Sequence, residues 1–457
     1  MSAPSRRSKV GMVSLGCAKN LVDSEILLGE LARRGHVIVA DDGDAETVIV
    51  NTCAFIGEAR QESIDAILDA VARKGEGSVR RLLVAGCMVN RHGEELRREI
   101  PEIDGFIGLD QLREVGEIVE LGGGPPPPGP SHLVFDQTAP RLLTTRGFAY
   151  LKVAEGCDNP CTFCAIPQWR GRFRSRPIAD LVAEAQRLEA GGARELCLIA
   201  QDTTRYGEDL DYGRHGLLRL VEALLAGTTI PWIRFLYAYP TTLDPELLRL
   251  MAGEPRFLPY LDIPLQHSHP QILRAMRRGG SPERYLRLLE RGRELVPDLF
   301  LRTTFIVGFP GETEEHFDHL LDFVGRVGFD HLGAFVYSPE AGTPAAQLDG
   351  AVAAGVAKRR WRRLLARQKP ISLARRKALV GRSLEVFVEG ACEESEHLLQ
   401  GRHRGMAPDV DGRVLINDGL APAGSIVEVE ITDAYPSDLV GRIVGPHGVP
   451  GVVPAAA

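Results

Sequence analysis

The chain has 457 residues, too many for one ordinary hydrophobic core, so about two or three domains are expected. Hydrophobic residues make up 44% and charged residues 25%, which excludes a disordered or fibrous chain. With 54 Lys and Arg against 61 Asp and Glu the net charge is -7, so any RNA contact would have to be local. No stretch approaches the length of a membrane span, and the opening MSAPSRRSKV lacks the apolar segment of a signal peptide. A cytoplasmic protein without membrane association is expected.

In chain order, the first region repeats one pattern three times: an apolar run, a small or polar residue or two, then a cysteine. VGMVSLGC ends at Cys17, TVIVNTC at Cys53 and RLLVAGC at Cys87. The spacings are 36 and 34 residues, the length of a strand-helix-strand unit, and helical patterns such as EILLGELARRG fill the gaps. Three parallel strands follow from this. Ligands of an open parallel sheet bind outside the carboxyl ends of its strands, so the three cysteines are expected to converge on one site. Taken singly, dispersed cysteines are more often buried apolar residues than ligands. Their shared placement is what argues for a site.

The segment GGGPPPPGP at Gly122 to Pro130 reads as a linker, because a proline run cannot continue a helix or a central strand. Beyond it, six strand candidates alternate with helical pieces: FAYLKVA, ELCLIA, WIRFLYAY, YLDIPL, LRTTFIV and HLGAFVY. Between the first two, Ile178, Leu181, Val182, Ala185 and Leu188 share one helical face. Such alternation gives a partial parallel α/β barrel, whose site lies where polar residues follow the strands: Glu155 and Cys157, Gln201 and Asp202, Gln266 and His267, Ser338.

Lys358 to Lys377 carries ten basic residues and no acidic one, and is expected to be a helix broken at Pro370. After it, short alternating runs such as LEVFVEG and IVEVEI, split by turn residues, suit a small antiparallel β-barrel. The expected organisation is an α/β multidomain chain: a parallel α/β domain over 1–121, a Pro/Gly-rich linker over 122–138, the partial six-unit barrel with its basic helix over 139–378, the small β-barrel over 379–447 and a loose tail over 448–457.

The chemistry concentrates in EGCDNPCTFC, where Cys157, Cys161 and Cys164 are separated by three and then two residues just past the first barrel strand. Three close thiolates suit an iron-sulfur cluster with one iron left open. A structural zinc site is the alternative, but no fourth Cys or His stands at a usual zinc spacing.

This CxxxCxxC spacing on a partial α/β barrel resembles the radical S-adenosylmethionine (SAM) superfamily. The resemblance implies a 4Fe-4S cluster whose open iron holds SAM, and whose electron cleaves it to methionine and a deoxyadenosyl radical. FIVGFPGET, with Gly308 and Gly311, is similar to the same family, and SAM contacts are implied at Gly308, Gly311, Gln201 and Asp202. With the trio Cys17, Cys53 and Cys87, the chain resembles the methylthiotransferases, which join a second three-cysteine cluster domain, a radical SAM barrel and a C-terminal TRAM barrel. Two 4Fe-4S clusters and SAM are therefore the implied cofactors.

Within that family, IAQDTTRYGED and DIPLQHSHPQILRAMRR are similar to the type that modifies an aspartate of small-subunit ribosomal protein S-twelve. A tRNA-modifying type, the runner-up, would read GQNVNSY and PVQSGS at those places. The implied reaction puts a methylthio group on the β-carbon of the aspartate, with two SAM molecules and an electron donor such as flavodoxin or ferredoxin. Radical chemistry is needed because acid-base groups do not remove such a hydrogen at useful rates. Charge points the same way. From Arg382 to His447 there are five Arg, no Lys and twelve Asp and Glu, with Glu393, Glu394 and Glu396 in one loop, a balance that favours a basic protein partner over RNA.

Other residues are less committed. Cys197 reads as strand packing and Cys392 has no ligand partner nearby in sequence. His267 and His269 flank a strand end, as pocket lining or as structure. Arg170, Arg172, Arg174 and Arg176 are spaced as one face of an extended segment, either gripping an acidic group or simply solvated.

Overall fold

A computed structural model of the chain describes residues 7–40 and 42–444; the expected loose tail lies outside them. The first domain is a five-stranded parallel sheet of β1 (Lys9–Ser14), β2 (Val37–Ile38), β3 (Thr47–Thr52), β4 (Arg81–Gly86) and β5 (Gly105–Ile107), in the order β2-β1-β3-β4-β5. Helices α1 (Ala18–Arg33), α2 (Gly57–Gly75), α3 (Cys87–Glu99) and α4 (Val115–Leu121) connect and flank the strands. β3 is buried along its whole length, as a parallel strand covered on both faces must be. The proline-rich segment has no regular structure, yet it lies on this domain. Phe106 N donates to Gly124 O, and Pro126 and Pro127 occupy the space where Gly93 and Gly108 would carry a Cβ.

All six expected barrel strands form, and the helices lie between them. They are β6 (Phe148–Lys152), β7 (Ala154–Glu155), α5 (Pro167–Arg170), β8 (Arg174–Ser175), α6 (Ile178–Ala190), β9 (Glu195–Ile199), α7 (Gly216–Gly227), β10 (Trp232–Phe235), α8 (Pro245–Gly253), β11 (Tyr260–Asp262), α9 (Pro270–Ala275), α10 (Pro282–Leu295), β12 (Phe300–Val307), α11 (Glu314–Val327) and β13 (His331–Val336), with β7 and β8 a small added hairpin. The ladder runs parallel in two halves, β10-β9-β6 and β11-β12-β13. A few bonds such as Ala238 N to Asp262 O, 2.9 Å, join them. No ladder among the described residues links β6 to β13, so the barrel is open.

Strand alternation shows what fills the opening. Ala149, Leu151, Leu196, Leu198, Ile233 and Phe235 point outward into the core under the barrel helices. The alternate residues Phe148, Tyr150, Cys197, Ile199, Trp232 and Tyr260 point inward, into a core shared with Val22, Ile26 and Leu31 of α1 and with Phe387 and Ala407 of the C-terminal domain. The first and last domains thus plug the barrel from inside its curve. Cys197 is fully buried in this shared core.

The last barrel helix, α12 (Ala354–Lys377), runs unbroken through Pro370, against the expected break. Tertiary anchors on both sides of the proline override its lost hydrogen bond. Gln368 donates to Phe329 O at 2.7 Å, and Ser372 Oγ donates to Asp330 O at 3.1 Å. Beyond it, β14 (Ser383–Cys392), β15 (Ser395–His403), β16 (Val414–Asp418), β17 (Ile426–Ala434) and β18 (Leu439–Ile443) close a barrel in the order β14-β15-β16-β18-β17. One pair, β16 with β18, is parallel, so the barrel is not wholly antiparallel as expected. Glu393 and Glu394 occupy the β14-β15 turn, while Glu396 lies in β15 rather than in the loop.

Buried charge fixes this domain to the barrel. Glu195, at the start of β9, accepts from Arg234 Nε at 2.6 Å and from Arg402 Nη2 at 2.7 Å, with all three side chains nearly inaccessible. Replacing Glu195 by Ala would leave the Arg234 guanidinium buried without a counterion and Arg402 with Glu389 alone. We expect it to cost roughly 3–5 kcal/mol, read as a lowered melting temperature.

Candidate functional site

The three cysteines of the first domain stand just beyond the carboxyl ends of β1, β3 and β4, which are neighbours in the sheet. Cys17 is the N-cap of α1 and Cys87 opens α3, so two of the three sulfurs sit at helix N-termini. Cys53 follows β3, where its N–H donates to Ser63 Oγ at 3.0 Å and Ser63 Oγ donates to its carbonyl at 3.2 Å. Two glycines make the convergence feasible. Gly16 and Gly86 both have φ of +92°, and a Cβ on Gly16 would lie 3.0 Å from Cys53 Sγ. A Cβ on Gly86 would lie 2.2 Å from Asn51 Oδ1. Gly86→Ala should therefore destabilise by about 1–3 kcal/mol and displace Cys87, measurable as a lower melting temperature.

Cys157, Cys161 and Cys164 share the loop after β7, closed by the bond from Cys164 N to Cys161 O, 3.1 Å. Thr162 anchors the loop to the C-terminal end of α9, with N donating to Met276 O at 3.0 Å and Oγ1 to Ala275 O at 2.8 Å. Asn159 N approaches Cys157 Sγ at 3.5 Å, and Arg278 Nη1 approaches Cys161 Sγ at 3.6 Å. Burial pushes the thiols up, Cys157 to about 11, Cys164 and Cys87 to about 12. A cleft of about 580 Å³ opens beside the loop, lined by Cys157, Asp158, Asn159, Arg172 and Arg174 among others.

A buried ionic chain runs from Cys87 of the first domain to Glu155, two residues before Cys157. Arg170 Nη2 donates to Cys87 Sγ at 3.1 Å and lies 2.9 Å from Asp23, while its Nη1 donates to Glu155 at 2.9 Å. Lys152 pairs with Asp23 at 2.6 Å and with Glu155 at 2.8 Å. Burial alone would raise Glu155, but the Arg170 and Lys152 cations hold it well below the usual carboxylate range. Gln201 donates to Glu155 at 2.7 Å, and Asp202 accepts from Asn159 at 2.7 Å, so both belong to the shell of the cysteine loop. Burial raises the Asp202 carboxyl. Lys19, two residues past Cys17, is 7% exposed with its Nζ 3.0 Å above the Tyr237 ring, and burial pushes its ammonium down to about 8.

The four arginines do not form one face. The short helix α5 and Gly171 at φ +71° turn them in different directions. Arg170 and Arg176 are buried, the latter 2.6 Å from Glu184, and Arg172 is exposed beside Asp158. Gly308 and Gly311 follow β12. Gly308 is explained by packing, since a Cβ there would lie 2.5 Å from Ala357, whereas nothing lies within 4 Å of a Cβ on Gly311. His267 is fully buried 3.5 Å from Glu312, and His269 stacks on His316. Cys392 is buried at the end of β14, away from both sets. Asp23 and Lys152 were not singled out from the sequence. Lys152 offered a signal, a charge inside the apolar run FAYLKVA.

Comparison with known proteins bears directly on this pairing of sites. Residues 9–108 match the model of uncharacterized protein family UPF0004, residues 151–324 that of the radical SAM superfamily and residues 380–444 that of the TRAM domain. Ribosomal protein uS12 methylthiotransferase RimO of Myxococcus xanthus is 48% identical over 95% of this chain and 91% of its own length. The Geobacter sulfurreducens protein of that name is 47% identical over 96% of this chain and 99% of its own. The chain belongs to the RimO family of uS12 methylthiotransferases. It is a radical SAM methylthiotransferase, and SAM and 4Fe-4S clusters are its cofactors.

Among solved structures, the radical SAM methyltransferase TsrM of Kitasatospora setae shares the fold, with a TM-score of 0.55 and 15% identity over 80% of this chain and 89% of that one. The donor sets fit the clusters. Both consist of sulfur alone, and each gains a nearby N–H or guanidinium donor to sulfur, the environment such clusters favour. No three His, Cys, Asp or Glu side chains among the described residues are gathered tightly enough for a single metal ion. No helix among the described residues is long and apolar enough to cross a membrane.

Proposed function

We propose that this enzyme places a methylthio group on the β-carbon of an aspartate of ribosomal protein uS12. Cys157, Cys161 and Cys164 would hold one 4Fe-4S cluster and Cys17, Cys53 and Cys87 a second, with two SAM molecules consumed and an external donor such as flavodoxin or ferredoxin supplying electrons. The observation that supports the reading is the contact of Arg170 with both Cys87 of the first domain and Glu155, two residues before Cys157 of the barrel loop. A single-cluster radical enzyme needs no such second set.

When bound, the clusters and SAM supply a radical able to abstract hydrogen from unactivated carbon and the sulfur and methyl to replace it. The chain's own residues orient and enclose. Asn159, Asp202, Gln201 and Glu155 form a hydrogen-bonded rim around the cysteine loop. Phe163, packed with Ile272, Met276 and Phe309, excludes water beneath the loop. Of the glycines after β12, Gly311 keeps an open face for SAM, while Gly308 serves α12. The acidic C-terminal barrel suits a basic ribosomal protein, which opposite charge steers and salt would weaken.

The deciding experiment incubates anaerobically reconstituted enzyme with SAM, a reductant and either purified uS12 or tRNA. Mass spectrometry of uS12 should show one methylthio group on an aspartate. Methylthiolated nucleoside in the tRNA, with unmodified uS12, would overturn the assignment.

A further inference from the structure

Buried cations at the seam between the first domain and the barrel come with carboxylates. Lys152 has Asp23 and Glu155, Arg170 has the same two, Arg302 has Asp262 and Asp411, and Arg141 has Glu25 and Glu184. Lys19 breaks the pattern. It is 93% shielded (7% exposed), and among the described residues neither a carboxylate nor a hydrogen-bond acceptor reaches its Nζ. Its one close partner among the described residues is the face of Tyr237, 3.0 Å away. A cation over a ring recovers only part of what burial costs an ammonium, and Asp262, Glu155 and the Cys17 sulfur act on it only from beyond contact, so among the described residues no anion pairs directly with this charge.

The ring that seats the charge is itself held under strain. Tyr237 has φ of +64°, a conformation bulky residues avoid, and its N–H is fixed on Asp262 Oδ2 at 2.9 Å. It follows β10, Asp262 ends β11 and Glu155 ends β7, so this is the carboxyl-end mouth of the barrel, where such folds keep their sites. On its other side Lys19 is two residues from Cys17. The charge therefore stands between the two sulfur sets.

We propose that Lys19 receives the carboxylate of the substrate aspartate and is the residue that selects an acidic side chain. This rests on the functional reading above. The reaction at the β-carbon leaves the γ-carboxylate intact, one bond from the reacting carbon. An ammonium that grips it fixes that carbon between the sulfur sets, and only an anionic side chain completes the unpaired charge. A neutral group such as an amide or a base would leave it unpaired.

The test uses reconstituted holoenzyme as wild type, Lys19→Met and Lys19→Arg. The substrates are uS12 and uS12 with its modified aspartate, located in the wild-type reaction, replaced by Asn. Lys19→Met should keep its iron and melt no lower than wild type, because an unpaired buried charge is being replaced by an apolar chain of similar length. Its kcat/KM for uS12 should fall about 10- to 100-fold, chiefly through KM, and it should treat Asp and Asn substrates alike. Lys19→Arg, which keeps the charge, should recover part of the preference. An undiminished Asp preference in Lys19→Met overturns the proposal. So does a shifted cluster potential with that preference kept, since Lys19 would then serve the Cys17, Cys53, Cys87 site. If Lys19→Met loses iron, the Asp to Asn ratio of Lys19→Arg decides, and a ratio of one overturns the proposal. Wild-type enzyme that leaves uS12 unmodified overturns the functional reading itself, in an arm that does not involve Lys19.

Discussion

Replacing Cys157, Cys161 and Cys164 together by Ala is expected to halve the iron of the reconstituted enzyme, replacing Cys17, Cys53 and Cys87 instead to halve it likewise, and replacing all six to remove it. The expectation follows from two separate sulfur sets, each made by its own backbone. The first is a single loop pinned by Thr162 to Met276 and Ala275. The second is spread over three strand ends of a different domain. Neither scaffold depends on the other's thiols, so losing one set should leave the other loaded. Iron and acid-labile sulfide assays of both triple variants and of the sixfold variant measure this. Full iron retained after removal of Cys17, Cys53 and Cys87 would show that the first-domain site holds no cluster.

The fold was legible because its signals were local and periodic. Apolar runs ending in cysteine at even spacing marked three parallel strands, and six strand-helix alternations marked the partial barrel. The cysteine sets were readable for the same reason, since each follows a strand end. What the sequence hid depended on contacts between distant segments. Pro370 signals a break, but Gln368 and Ser372 tie the helix to Phe329 and Asp330 on either side of it. The arginines at 170 to 176 alternate like an extended strand, yet α5 and Gly171 send one inward to Cys87 and another out to solvent. Asp23 sits in an ordinary helical stretch, and nothing local says that Lys152, 129 positions away, will meet it in a buried seam.

Cys161→Ala should abolish reductive cleavage of SAM to deoxyadenosine, while Cys53→Ala should leave that cleavage measurable and abolish methylthio transfer. The geometry makes both substitutions chemical rather than structural probes. Around Cys161, Thr162 and Ala345 keep the loop in place through backbone bonds that involve no sulfur. Around Cys53, Ser63 holds both the N–H and the carbonyl of the residue, so an alanine keeps the turn. Each variant then removes one proposed sulfur ligand from an otherwise standing site. The expected loss of deoxyadenosine in Cys161→Ala is to the level of enzyme-free controls, because an incomplete set at the barrel mouth no longer presents an iron to SAM. In Cys53→Ala the barrel set is intact, and only the step that draws on the first domain fails. Deoxyadenosine by chromatography and uS12 mass are read in the same reactions. Equal loss of deoxyadenosine in the two variants would mean that the sets act as one unit, with Arg170, in contact with both sides of the seam, the first place to look for the coupling.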